Sequence, residues 1–129
     1  MRRPPRIIAA ALALVAMSCG AASANDIAGA RWRVAELGGE AVSNAGALEI
    51  RADRITGREA CNRIAARYTA ADGRLTVGPV RATRMTCPFI ALETRLVRAL
   101  ERARAYRLDA SRLVLLDENG AALAGLVKT

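Results

Sequence analysis

Three cysteines and no histidine bound the chemistry open to this chain. Cys61 stands in Glu59-Ala60-Cys61-Asn62-Arg63, and Cys87 in Thr83-Arg84-Met85-Thr86-Cys87-Pro88. Without histidine there is no histidine-based triad, no histidine-ligated zinc and no histidine proton shuttle. The pair leaves three readings open: a structural disulfide, two buried free thiols, or a reactive site. A disulfide would stabilise by roughly 3 to 4 kcal/mol in the chain-entropy model. A redox pair normally has Cys-x-x-Cys spacing at a helix start, which is missing here. A metal site needs three or four ligands, more than two lone thiols supply. Cys87 next to a helix start could have thiolate character, but no histidine base can serve it.

The acids Asp53, Glu59, Asp72, Glu93, Glu101, Asp109, Asp117 and Glu118 are scattered through expected turns and helix surface, which gives no paired-carboxylate arrangement. Gly38-Gly39 and Gly78-Pro79 are followed by no Gly-Lys-Ser/Thr pattern, so they read as turns rather than phosphate loops. No catalytic constellation emerges, and neither a cofactor nor an enzymatic activity is expected.

Compartment is easier to read. Arg2, Arg3 and Arg6 precede an apolar run from Ile7 to Met17 and the small residues Ala22-Ser23-Ala24, the layout of a secretory signal over residues 1–24. The run is shorter than the roughly 20 apolar residues that span a bilayer. Cleavage before Asn25 would release a periplasmic protein. Cys19, after Ser18, stands where a lipoprotein carries its acylated cysteine, and lipidation there would anchor the protein at the outer membrane. Pro4 and Pro5 argue against the twin-arginine route. Export leaves Cys61 and Cys87 in an oxidising compartment, where an even cysteine count in a small domain favours a disulfide.

The 129 residues carry a net charge of +8, and without the three leader arginines 17 basic side chains face 12 acidic ones. Export removes nucleic acid as a partner, and base-stacking aromatics are scarce. Anionic lipid head groups and envelope polymers remain as candidate partners for the positive charge, against a simply solvated arginine-rich surface. Residues 25–129 suffice for one domain, and a monomer is expected.

The elements that must position these residues are mostly short strands. Arg31 to Leu37 alternates, with Trp32 and Val34 facing one side and Arg31 and Arg33 the other. Asn25 to Ala30 reads as a polar lead. Ala47 to Arg51, Arg54 to Gly57, Ile64 to Tyr68, Leu75 to Val77 and Val80 to Thr83 continue the strands, with a hairpin turn at Ala71-Asp72-Gly73. One helix is expected over about 88–104, capped by Thr86 or Cys87 with Pro88 in its first turn. Phe89, Leu92, Leu96, Ala99, Leu100 and Ala103 would form its core stripe, flanked by Arg95, Arg98 and Arg102 as a candidate anionic contact. Three last strands follow, at 106–109, 112–116 and 122–127, the final two joined by Asp117-Glu118-Asn119-Gly120. The fold class is α+β: an antiparallel sheet of short strands curled round or against the helix.

The order of Trp32, Ile55-Thr56-Gly57, Cys61-Asn62-Arg63, Tyr68, Asp72-Gly73-Arg74-Leu75, Thr83-Arg84-Met85-Thr86-Cys87-Pro88, a helix near Glu93 and a Leu113 to Gly120 hairpin resembles the META domain, or HslJ-like, family. The resemblance covers nearly the whole of residues 25–129. It implies an envelope protein, often a lipoprotein, tied to stress or antibiotic tolerance and without known catalysis. It also implies a cracked barrel with a helix across it, similar to secretin-pilotin proteins that hold lipid or a partner's tail. Two positions depart from the family: Ala60 replaces a usual glycine before the cysteine, and Ile64 a usual phenylalanine. Asn62 and Arg63 are expected to bond backbone in a turn rather than bind a ligand. The expected function is that of a noncatalytic envelope domain. The alternatives are a lipid- or peptide-binding module with an apolar groove between helix and sheet, and an inhibitor of an envelope hydrolase.

Overall fold

The computed structural model describes residues 2–5, 25–58 and 61–129. The apolar run of the expected leader, its cleavage site and Cys19 lie outside the described residues, as does Ala60. Among the described residues no helix is long and apolar enough to cross a membrane.

Among the described residues ten strands and one helix follow in order: β1 Ala30–Leu37, β2 Glu40–Ala41, β3 Ala47–Ile50, β4 Arg54–Arg58, β5 Ile64–Ala71, β6 Arg74–Val77, β7 Arg81–Ala82, α1 Ile90–Arg102, β8 Ala105–Asp109, β9 Arg112–Leu116 and β10 Ala122–Lys128. All pairings are antiparallel. Eight strands close a barrel in the order β1-β3-β4-β5-β6-β8-β9-β10, and β10 returns to β1 through pairs such as Val34 with Leu126. The two shortest strands lie off this ring, β2 beside β1 and β7 beside β5. The weak seam is β6 to β8, registered only at Arg74 and Ala105. There the amide of Leu75 donates to Arg104 O at 3.1 Å, and that of Tyr106 to Gly73 O at 2.8 Å. The curled antiparallel sheet expected from the strand pattern thus takes the form of the cracked barrel that the resemblance implies.

Period-two alternation decides which side chains fill it. Trp32, Val34, Leu48, Ile50, Ile55, Ala66, Tyr68, Leu75, Leu113 and Leu115 point inward and are buried, whereas Arg31, Arg33, Arg54, Arg63 and Arg67 are exposed. The β5–β6 hairpin turns on Asp72 and Gly73, both at positive φ (52° and 79°), as a two-residue turn between twisted strands requires. Asp117 Oδ1 accepts the amides of Asn119 and Ala121, which shapes the β9–β10 turn.

The structure alters the expected outline in three places. The lead is not merely polar: Ile27 is fully buried, and its carbonyl accepts the Trp32 indole N–H at 3.3 Å. Asn25 donates to Tyr68 Oη at 2.7 Å, Tyr68 donates in turn to Arg51 O, and Tyr106 donates to Asp26 Oδ1 at 2.7 Å. Second, β2 is additional, and the amide just after it, that of Val42, donates to Ala35 O, the residue skipped where the β1–β10 register shifts.

Third, the helix starts at Ile90, not Pro88, and neither Thr86 nor Cys87 caps it. Phe89 is the N-cap residue and makes no side-chain cap bond. The Cys87 side chain is held in a disulfide, and its carbonyl accepts the amide of Ile90 at 3.3 Å, so the chain makes a turn through Pro88 before the helix begins. Phe89 thereby leaves the core stripe and is half exposed, while Leu96, Ala99, Leu100 and Ala103 fill the space against the sheet. At the other end Ala103 is already extended, because the amide of Arg104 is committed to Leu116 O at 2.8 Å.

Candidate functional site

The cysteine motifs converge. Cys61 and Cys87 form a disulfide with 6.0 Å between Cα atoms, within the usual range. Beside it Asn62, only 2% exposed, uses the full bonding capacity of its amide. Nδ2 donates to Met85 O at 3.1 Å and to Glu93 Oε2 at 2.8 Å. Oδ1 accepts the Thr83 hydroxyl at 3.1 Å and the Met85 amide at 2.7 Å. The Asn62 amide donates to the other Glu93 oxygen at 2.8 Å, and that of Arg63 to Thr83 Oγ1 at 2.9 Å.

A buried carboxylate is costly unless it is hydrogen-bonded. Glu93 meets that condition with two donors from Asn62 and a place in the first turn of α1, where the helix dipole favours negative charge. The motif therefore clasps the start of β5 to the segment before the helix and to the helix itself. The Asn62 side chain bonds backbone at Met85, whereas its contact with Thr83 is to the hydroxyl, and Arg63 joins the cluster through its own amide. Glu93, 31 residues from Asn62, is the functional partner that pattern reading missed. The available signal was an acid set in an otherwise uncharged first helical turn, Ile90-Ala91-Leu92-Glu93.

The helix arginines separate. Arg95 donates to Leu37 O at 2.9 Å and to Glu40 at 3.1 Å, tying α1 to the β1–β2 hairpin. Arg102 reaches Asp117 at 4.0 Å, and Arg98 is exposed. Pro88 and Met85 are also exposed, and Met85, Phe89 and Ile90 are the exposed large apolar side chains around this start of the helix.

Two clefts open on the outside of the barrel. The larger, about 960 Å³, is lined by Arg31, Arg63, Arg81, Ile64, Ala82 and Met85 among others. The second, about 430 Å³, is lined by Arg54, Arg67, Arg81, Ala65, Ala66 and the Gly78-Pro79 turn. Neither is lined by Asp or Glu among the described residues. No group of three or more His, Cys, Asp or Glu that could hold a metal occurs among them either.

Two tyrosines at the ends of the lead are perturbed. Burial is the main cause that raises the Tyr68 hydroxyl pKa, opposed by its bond from Asn25 and helped by the Asp53 charge. Tyr106 is pushed up to about 12, first by burial and then by its bond to Asp26, against the lowering effect of the Gly73 backbone. Both are structural donors, held neutral.

The META domain family matches residues 25–128. The chain belongs to that family. A comparison with curated proteins finds no match. Among solved structures, an NMR structure of a protein from Burkholderia xenovorans is similar at 21% identity and a TM-score of 0.63, covering 81% of this chain and 84% of that one. A crystal structure of a DUF4847 family protein from Bacteroides vulgatus is similar at 16% identity and a TM-score of 0.60, covering 78% and 92%. At these identities the likeness concerns the fold.

Within this META domain, Ile64 lies opposite Gly57 in the β4–β5 register. A Cβ at Gly57 would run into Ile64 Cγ1, so the isoleucine occupies the space the missing side chain leaves.

Proposed function

We propose that this META-domain chain is a noncatalytic protein of the bacterial envelope, exported by its leader and contributing to stress or antibiotic tolerance as a binding module. The observation that carries this reading is the saturation of the motif's polar groups. Asn62, Thr83 and Glu93 spend their donors and acceptors on one another and on the backbone, as residues that build a fold do. A catalytic group, by contrast, must reach a substrate with a proton or lone pair to spare. The leader, the small residues before Asn25 and the disulfide support export.

Intact mass of the protein recovered from its native envelope, with and without reductant, tests the reading. Expected is a chain beginning at Asn25, or one beginning at an acylated Cys19, with Cys61 and Cys87 joined until reductant is added. A cytosolic chain still carrying its leader would overturn it.

The binding-module form of the reading is favoured by a specific observation, the two adjoining arginine-lined clefts. The space between helix and sheet is filled by Leu96, Ala99 and Leu100, which directs attention to the outer surface.

A further inference from the structure

Arg54 on β4 and Arg67 on β5 are direct cross-strand partners. Like charges placed opposite each other on antiparallel strands repel. Arg81 of β7 pairs with Ala65 of β5 and lines the same cleft. None of the three guanidinium groups has an ion pair or hydrogen bond with the described residues. Other arginines do find acids: Arg51 lies 2.8 Å from Glu49, Arg95 3.1 Å from Glu40, and Arg112 2.8 Å from Glu36. Three guanidinium groups without an acid partner thus line one recess, which has no Asp or Glu among its lining residues.

Small residues keep that recess open. Ala65 and Gly78 line it, and a Cβ at Gly78 would come within 3.4 Å of Arg67 O. Arg81 also borders the larger cleft, where Arg63, Ala82 and Met85 add a mixed cationic and apolar lining.

We propose that Arg54, Arg67 and Arg81 form a binding site for a phosphate-bearing anion. A guanidinium presents a planar fork of donors that matches a phosphate's oxygens two at a time. A multiply charged phosphate offers enough oxygens to be shared by Arg54 and Arg67, and it turns their repulsion into a bridge. The phosphate belongs either to a phospholipid head group, whose apolar remainder would lie along Met85 and Ala82, or to a soluble phosphate compound. This inference rests on the binding-module reading above.

The test uses the purified, oxidised protein, with inorganic pyrophosphate followed by amide NMR shifts and with vesicles of phosphatidylglycerol in phosphatidylcholine, or of phosphatidylcholine alone, followed by co-sedimentation. A site variant carries Arg54→Gln, Arg67→Gln and Arg81→Gln. A control of equal charge carries Arg74→Gln, Arg98→Gln and Arg107→Gln. Pyrophosphate is expected to shift the amides of Ala65, Ala66 and Gly78, with affinity reduced about tenfold or more in the site variant and retained in the control.

Phosphatidylglycerol-dependent sedimentation that is lost in the site variant alone identifies a lipid head group. Pyrophosphate binding without vesicle binding identifies a soluble phosphate source, and the site stands. No shift at millimolar pyrophosphate, or equal weakening in both variants, overturns the site. Pyrophosphate binding by a chain that proves unprocessed and cytosolic would remove the envelope reading and keep the site. Failure of pyrophosphate binding in a processed envelope protein would do the reverse.

Discussion

Asn62 and Arg67 lie five positions apart around one strand, yet their polar surroundings are opposite. Around Asn62 each donor and acceptor of the side-chain amide is matched, and the nearest charge, Glu93, is buried and held by two donors. Around Arg67 three like charges line one recess with no acid among its lining residues. Solvent access accounts for the difference. A desolvated polar group left unpaired costs on the order of 1–3 kcal/mol, so buried groups are satisfied within the fold. Exposed guanidinium groups are screened by water, so their mutual repulsion costs little and their hydrogen-bonding capacity stays available. The buried polar groups of the motif are thus spent within the fold, whereas the exposed arginines of the recess keep their donors free.

The comparison breaks most visibly at Asn62. Replacing Asn62→Ala should lower stability by about 3–5 kcal/mol in urea unfolding, because it removes one of the two donors to the buried Glu93 carboxylate and leaves the Thr83 hydroxyl and the Met85 amide and carbonyl without their partner. A loss below about 1 kcal/mol would mean that the clasp is not a desolvated network. Next in size, Cys61→Ser with Cys87→Ser should cost about 3–4 kcal/mol. Its effect should combine non-additively with Asn62→Ala, since the bond and the clasp join the same segments.

The tyrosine at the barrel seam gives an intermediate case, a buried donor whose partners lie on the lead. Tyr106 holds its proton up to about pH 12 in the folded chain, against 10.0 for the free side chain. Between those values the unfolded chain loses this proton while the folded chain keeps it, so stability falls as pH rises through the window. Below pH 10.0 this contribution is fully present. Tyr106→Phe should flatten the alkaline loss in thermal melts, and an unchanged slope would remove Tyr106 as its source. The smallest effect has the opposite sign. Arg67→Gln should raise stability by about 0.2–1 kcal/mol by relieving Arg54, and the gain should shrink as salt is added. A destabilised variant would show that Arg67 is compensated after all.

Much of the barrel was legible because burial on one face of a strand writes itself as alternation. Trp32 and Val34, Ala66 and Tyr68, and Leu113 and Leu115 are buried as that period requires. Asp72-Gly73 also marked its turn, since positive φ selects for such residues. The start of the helix was misread because Pro88 is equally at home in the turn that precedes it, and a proline alone does not say which. Ile27 carried no periodic signal, being a single apolar residue in a turn. The β2 pairing at Glu40 and Ala41 is too short to show any period.

By itself the sequence determined the run of short strands around one helix, the family and the pair of cysteines, all of which depend on local composition, period or motif. Tertiary structure decided that Asn62 meets Glu93 across 31 positions, that Arg95 is spent on the β1–β2 hairpin, and that Arg54, Arg67 and Arg81 share a recess. The physical reason is register. Which charges become neighbours depends on how strands align and where the barrel closes, and that alignment follows from the joint packing of all the inward faces, which no local stretch of residues contains.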